Sequence, residues 1–235
     1  MGYLWSLLRP LFMFATLYVV FVYIFNLNKG IAHYPAYLLL GIVLWNFFTE
    51  TTTIGMSSVV SRGDLIRKIS IPRYLVVLSS STSALINLGL NLLVVFGFVI
   101  ANGVHPTLSW LLLPLLLVEL FAFALAVAFL LSALYVKFRD ISYIWEVFIQ
   151  AAFYATPIIY SLSLVSERYR GWILMNPVAQ IIQDARHAVV TNTSITIWDV
   201  ERLGYALVPI VLVIIVAIFS GLYFKKQSKY FAENI

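Results

Sequence analysis

Three carboxylates stand inside long apolar runs of this sequence: Glu50, Glu119 and Glu146. An ionisable side chain in such surroundings is costly, so by default it marks an ion path, a proton relay or a buried hydrogen bond. Glu119 lies near the middle of its run, whereas Glu50 and Glu146 lie toward ends that the charge pattern assigns to the cytoplasm. Two roles are open to Glu119. It can move protons in a proton-coupled transporter, or it can stay protonated and hydrogen-bond a neighbour. Neighbours are available, because Ser79, Ser83, Asn87 and Asn91 recur every four residues on one helical face. Stripes of small polar residues also pack membrane helices together.

Most other chemistry is missing. There is no phosphate-binding G-x-x-x-x-G-K-[ST] loop, no dinucleotide glycine fingerprint and no H-E-x-x-H pair. No G-x-S-x-G elbow accompanies the serines. His33, His105 and His187 fall in outer loops, separated in sequence, where a metal site needs several converging ligands, and the absence of cysteine removes thiolate sites. These absences disfavour an intramembrane enzyme and any metal on this chain.

Aromatic residues are the remaining signal. Phe14, Tyr18, Phe21 and Phe25 recur at i, i+4, i+7 and i+11, one continuous helical face, and a later run adds Trp145, Phe148, Phe153 and Tyr154. Such faces pack against lipid or neighbouring helices. They also suit a sugar chain, stacking on its apolar faces while tyrosine hydroxyls reach its hydroxyl groups. On the residues alone, packing is the reading.

The elements that must position these groups follow from composition. Of 235 residues, 62% are hydrophobic and only 11% charged, and mean hydropathy is +0.96. A soluble chain is roughly 45–50% apolar and about 25% charged, so this one has too few charges to cover a surface in water. It reads as an all-α integral membrane protein, one transmembrane domain over residues 1–235 with no soluble domain. Six runs reach the roughly 20 apolar residues that a spanning helix needs: about 7–26, 34–56, 73–101, 108–136, 141–162 and 203–224. The first has no small-residue cleavage site and is no signal peptide. No internal repeat supports an inverted-repeat carrier.

With both termini inside, the cytoplasmic segments hold ten basic residues and the outer segments five, the latter offset by Glu167, Asp184, Asp199 and Glu201. That asymmetry sets an N-in, C-in topology. It also accounts for the net charge of +5 without a nucleic-acid partner. Two loops exceed simple connectors. In residues 57–73, Leu65, Ile66 and Ile69 oppose Arg67 and Lys68, with Ser61 and Asp64 as a weak capping pair. The segment reads either as a short amphipathic cytoplasmic helix or as a basic loop that sets topology and touches anionic lipid. In residues 157–202, Pro157 should break the fifth helix. Asn176 and Pro177 should then start an amphipathic helix lying at or dipping into the outer interface.

GYLWSLLRPLF at residues 2–12, VKFRDI at 136–141, TPIIY at 156–160 and the Asn176-Pro177 pair stand in order along nearly the whole chain. Together they resemble the membrane subunit of ATP-binding-cassette type 2 exporters, in the branch exporting O-antigen, capsular polysaccharide and teichoic acid. The resemblance implies a permease in the cytoplasmic membrane of a bacterium or archaeon, surrounded by membrane lipids. It implies a second copy of this chain and two copies of a separate ATPase that carries ATP and magnesium, leaving this chain without a cofactor. The substrate implied is a lipid-linked glycan. Arg62, Asp64, Ile66, Arg67, Lys68 and Ile69 would form the coupling helix against the ATPase, with Arg139 and Asp140 at a second contact. The aromatic faces of the first and fifth spans would line the channel. Members usually carry a basic amphipathic segment before the motif matching Gly2–Pro10, where this sequence has Met1. A drug or small-lipid exporter of the same superfamily, and a proton-coupled carrier using Glu119, are the alternatives.

Overall fold

The apolar runs form a bundle of helices with one axial member. The computed structural model describes residues 2–24, 31–64, 72–200 and 206–231, with side chains from Leu8 onward except that of Arg9. Among the described residues there is no strand. The α-helices of eight or more residues are α1 (Gly2–Tyr18), α2 (Tyr34–Ser61), α3 (Arg73–Ala101), α4 (Leu113–Lys137), α5 (Ile141–Ala155), α6 (Glu167–Leu174), α7 (Pro177–Val189) and α8 (Val208–Gln227). Four are long and apolar enough to cross a membrane: α2, α3, α4 with the 3-10 turn ahead of it, and α8.

Helix α2 is the axis. Nineteen of its 28 residues are buried, and it packs against α1, α3, α4, α5 and α7. Only four of the 20 residues of α8 are buried, so α8 is peripheral and leans on α4. Close approach of α2 and α4 depends on a glycine, since a Cβ on Gly55 would lie 2.6 Å from that of Ala128. Helix α2 runs past the expected boundary at residue 56. Ser57, Ser58 and Ser61 donate back to carbonyls three or four residues earlier and stay in the helix. Ser61 is therefore the last residue of α2 and not the cap of a new helix.

Helices α1 and α5 depart from the sequence expectation. From Val19 to Ile24 the first helix widens into π form, which brings the ring of Tyr23, five residues on, to 6.2 Å from that of Tyr18. Helix α5 has 15 residues and stops at Ala155, where the sequence reading runs to 162. At about 22 Å it is shorter than a bilayer's hydrocarbon core of roughly 30 Å. Pro157 is the cause. It has no N–H to continue the helix, and it holds Thr156 extended at φ −87, ψ 136.

Chain reversal sorts the helix ends into two groups. At one end Val59, Val76, Val136, Phe224 and Phe231 form a common cluster. That packing collects the C-terminal ends of α2, α4 and α8 with the N-terminal end of α3, and their basic residues with them. At the other end the Tyr34 hydroxyl donates to the Ile159 carbonyl at 2.8 Å, and Ser109 donates to the Ala188 carbonyl at 2.8 Å. Helix α7 lies here, packed into the bundle and not laid flat on its surface. Eleven of its 13 residues are buried, and it inserts against α2 and α4. Asn176 caps it as expected, its Oδ1 accepting from the Val178 N–H at 3.1 Å.

Candidate transport site

The break after α5 leaves backbone carbonyls without helical donors inside the protein, and a buried acceptor must find a partner. Arg186 of α7 supplies it. Its guanidinium is fully buried and donates to the carbonyls of Pro157 and Ile158, both at 2.6 Å, and to that of Tyr37 at 2.9 Å. The ring of Tyr37 covers the cation at 3.5 Å. Burial pulls the Arg186 pKa below its ordinary value, yet the starting point is so high that the group stays charged. Gly41 completes the seat, because any side chain there would collide with the guanidinium. One residue of α7 thus ties together the α5 break and the axial helix. In the sequence Arg186 stands among the polar positions of the amphipathic helix after Pro177 and among the outer basic residues, with nothing there to single it out. The signal that pointed to it was Pro157, which creates the acceptors.

Around Arg186 lies a buried polar group. Gln180 donates to Asp184 at 2.5 Å, and Tyr37 donates to the Gln183 side-chain oxygen at 3.4 Å. Burial pushes the Asp184 carboxyl above its ordinary range, against the Gln180 hydrogen bond that lowers it. Glu119 lies in the second turn of α4, level with α7 and not at mid-helix, close enough to Asp184 for the two charges to interact. Its buried Oε1 has no hydrogen-bond partner.

The polar stripe serves a different carboxylate from the one expected. Asn87 donates to Glu50 at 2.6 Å and Asn91 to the Asn87 carbonyl at 2.8 Å, while Ser79 and Ser83 are exposed. The antiparallel run of α2 and α3 sets the middle of one against the middle of the other, which brings Asn87 to Glu50 and leaves Glu119 on another helix. Glu146 is exposed on α5. His187 is not a loop residue but part of α7, with Nδ1 3.0 Å from the Ser194 carbonyl oxygen.

The aromatic candidates divide into packed and presented groups. Trp145 stacks on Phe148 at 5.1 Å and meets Phe48 at 6.3 Å. Phe153 meets Trp45 at 6.0 Å, and Phe48 stacks on Phe123 at 5.7 Å. Trp45, Phe48 and Phe123 were not foreseen, although the i, i+3 pair on α2 was visible. Trp145 and Phe153 therefore anchor α5 to α2, while Phe148 and Tyr154 are 54% and 70% exposed. On α1, Phe14 and Tyr18 pack at 5.6 Å and Phe14 meets Phe98 at 5.5 Å. Phe21 is half-buried, and Phe25 lies outside the described residues. Among the described residues no ring contact joins the α1 group to the α5 group.

At the basic end, Arg62 and Asp64 are exposed after α2, and Arg139 and Asp140 are exposed between α4 and α5. Arg139 rests on the Tyr135 ring at 5.3 Å, and the Asp140 carbonyl accepts from the N–H groups of Tyr143 and Ile144 at the start of α5. Ile66, Arg67, Lys68 and Ile69 lie outside the described residues.

Known proteins resemble this chain over most of its length. Two O-antigen export system permease proteins RfbA of Klebsiella pneumoniae are each 29% identical to it. One alignment covers 77% of this chain and 70% of the relative, the other 82% and 74%. The protein of the same name from Myxococcus xanthus is 29% identical over 77% of this chain and 70% of its own length. A family model described as ABC-2 type transporter matches residues 1–190. With a multi-helix membrane bundle and a match over that much of its length, the chain belongs to the ABC-2 type transporter family as a membrane subunit.

Proposed function

We propose that this chain is the permease half of an exporter that moves a lipid-linked polysaccharide across the cytoplasmic membrane, driven by a separate ATPase. Similarity to three O-antigen export permeases carries this reading. Two copies of the chain act with two copies of the ATPase, which holds ATP and magnesium. Each chain crosses the membrane six times with both termini inside. The short α5 and the first helix complete the set beside the four long helices, and the charge asymmetry supports the orientation. The exposed rings of Phe148 and Tyr154, with the α1 face carrying Tyr18, form the lining for the glycan once a second copy faces them. Arg62, Asp64, the segment holding Arg67 and Lys68, and the Arg139–Asp140 turn meet the ATPase.

The test is surface display of glycan in cells that express this chain with its ATPase in place of the native exporter. Reversing Arg67 and Lys68 to glutamate should abolish display while the permease still inserts, since interface charge reversals cost several kcal/mol. Unchanged display in that variant removes the segment from the ATPase contact. The unpartnered Oε1 of Glu119 keeps one rival in view, a proton-driven carrier. Glu119→Gln keeps shape and hydrogen bonding but cannot titrate. Export should survive it, and loss of export in this variant would favour the rival.

A further inference from the structure

At the basic end, α3, α4 and α8 border an open cavity of about 510 Å³. Arg73 and Lys225 both line it, and among the described residues no acidic residue does and neither cation forms an ion pair. The wall behind them is apolar, with Phe129 edge-on to Phe224 at 4.9 Å. Along α8, Ile214, Ile218, Gly221 and Lys225 fall at i, i+4, i+7 and i+11, a single face whose residues are all exposed. That face is an apolar track, then a gap at Gly221, then a cation. A Cβ on Gly221 would meet nothing within 4 Å, so the gap is open space. We propose that this cavity is a binding site for an anionic phospholipid, its phosphate between Arg73 and Lys225 and its acyl chain along Ile218 and Ile214. Basic pockets between membrane helices on the cytoplasmic side take such headgroups. A zwitterionic lipid would set its ammonium against the same two cations. The site rests on the chain's being a membrane protein and not on what it exports, so failure of glycan display leaves it standing.

The full chain, extracted in detergent and equilibrated with equal amounts of phosphatidylglycerol and phosphatidylethanolamine, should retain phosphatidylglycerol preferentially when bound lipids are counted by native mass spectrometry. Arg73→Gln with Lys225→Gln should cut that preference by about 25-fold, two near-surface cations at about fivefold each. Gly221→Trp fills the gap without touching a charge and should cut it as well, at a site where nothing resists the larger side chain. Lys137→Gln with Lys226→Gln removes the same net charge from the same end without lining the cavity, and should leave the preference intact. No preference in the native chain would overturn the proposal. So would an equal loss in the Lys137/Lys226 control, an unaffected Gly221→Trp, or displacement of the lipid by inorganic phosphate alone.

Discussion

The two ends of this bundle treat their cations in opposite ways. At one end Arg186 is enclosed completely, its donors spent on two carbonyls that the α5 break releases and on one of the axial helix. At the other, Lys137, Arg139, Lys225 and Lys226 are exposed. Burying a charge is expensive unless its hydrogen bonds are met, so the first cation is justified only by what it holds together. The exposed ones contribute little to folding and remain available to partners, lipid or protein. Charge type alone distinguishes neither role; the difference lies in whether backbone acceptors stand nearby without donors.

Removing the enclosed cation gives the largest expected effect. Arg186→Leu orphans the Pro157 and Ile158 carbonyls and loses the Tyr37 contact, a cost on the order of 4 kcal/mol or more. The thermal midpoint in detergent should fall by about 10 °C. Arg186→Lys should fall between, since an ammonium lacks the planar fork. A midpoint within a degree of the native value in Arg186→Leu would show that α7 is held by its apolar face alone. Lys137→Gln at the opposite end should leave the midpoint unchanged.

Next in size is the contrast between packed and presented rings on α5. Trp145→Ala opens a hole between Phe48 and Phe148 and should cost about 3 kcal/mol, read as lower membrane levels. Tyr154→Ala removes an exposed ring and should leave levels intact while reducing glycan export. Export unaffected by Tyr154→Ala at matched levels would take that face out of the proposed path.

The smallest effect concerns Asp184. Its folded pKa is raised by burial above the ordinary value of 3.8. The native state therefore holds its proton more tightly than the unfolded chain, and stability is lost as pH rises through the folded value. Asp184→Asn should remove that part of the decline, a difference of under about 3 °C in midpoint between acidic and neutral pH. Parallel pH curves for the two proteins would show that Asp184 titrates alike in both states.

Much of this was legible in the amino-acid order. The apolar runs marked the helices because lipid demands length and low charge together. Pro157 marked the break, and Asn176-Pro177 the start of α7. What could not be read was which helix faces which. Periodicity places Ser79, Ser83, Asn87 and Asn91 on one face, but only the packing of α3 against α2 turns Asn87 toward Glu50 instead of Glu119. Arg186 shows the same limit. In sequence it is one charge among several in a polar-looking stretch, and only folding brings it to carbonyls 28 and 29 residues earlier.

The contrast between the ends has a direct physical test, because the chain contains no cysteine and single introduced thiols label without background. Lys137→Cys at the basic end and Ser166→Cys just before α6 are both exposed positions. In intact cells a membrane-impermeant maleimide should modify Ser166→Cys and leave Lys137→Cys untouched until the membrane is opened. Labelling of Lys137→Cys in intact cells would place the exposed cations outside and contradict their assignment to the ATPase and the inner leaflet.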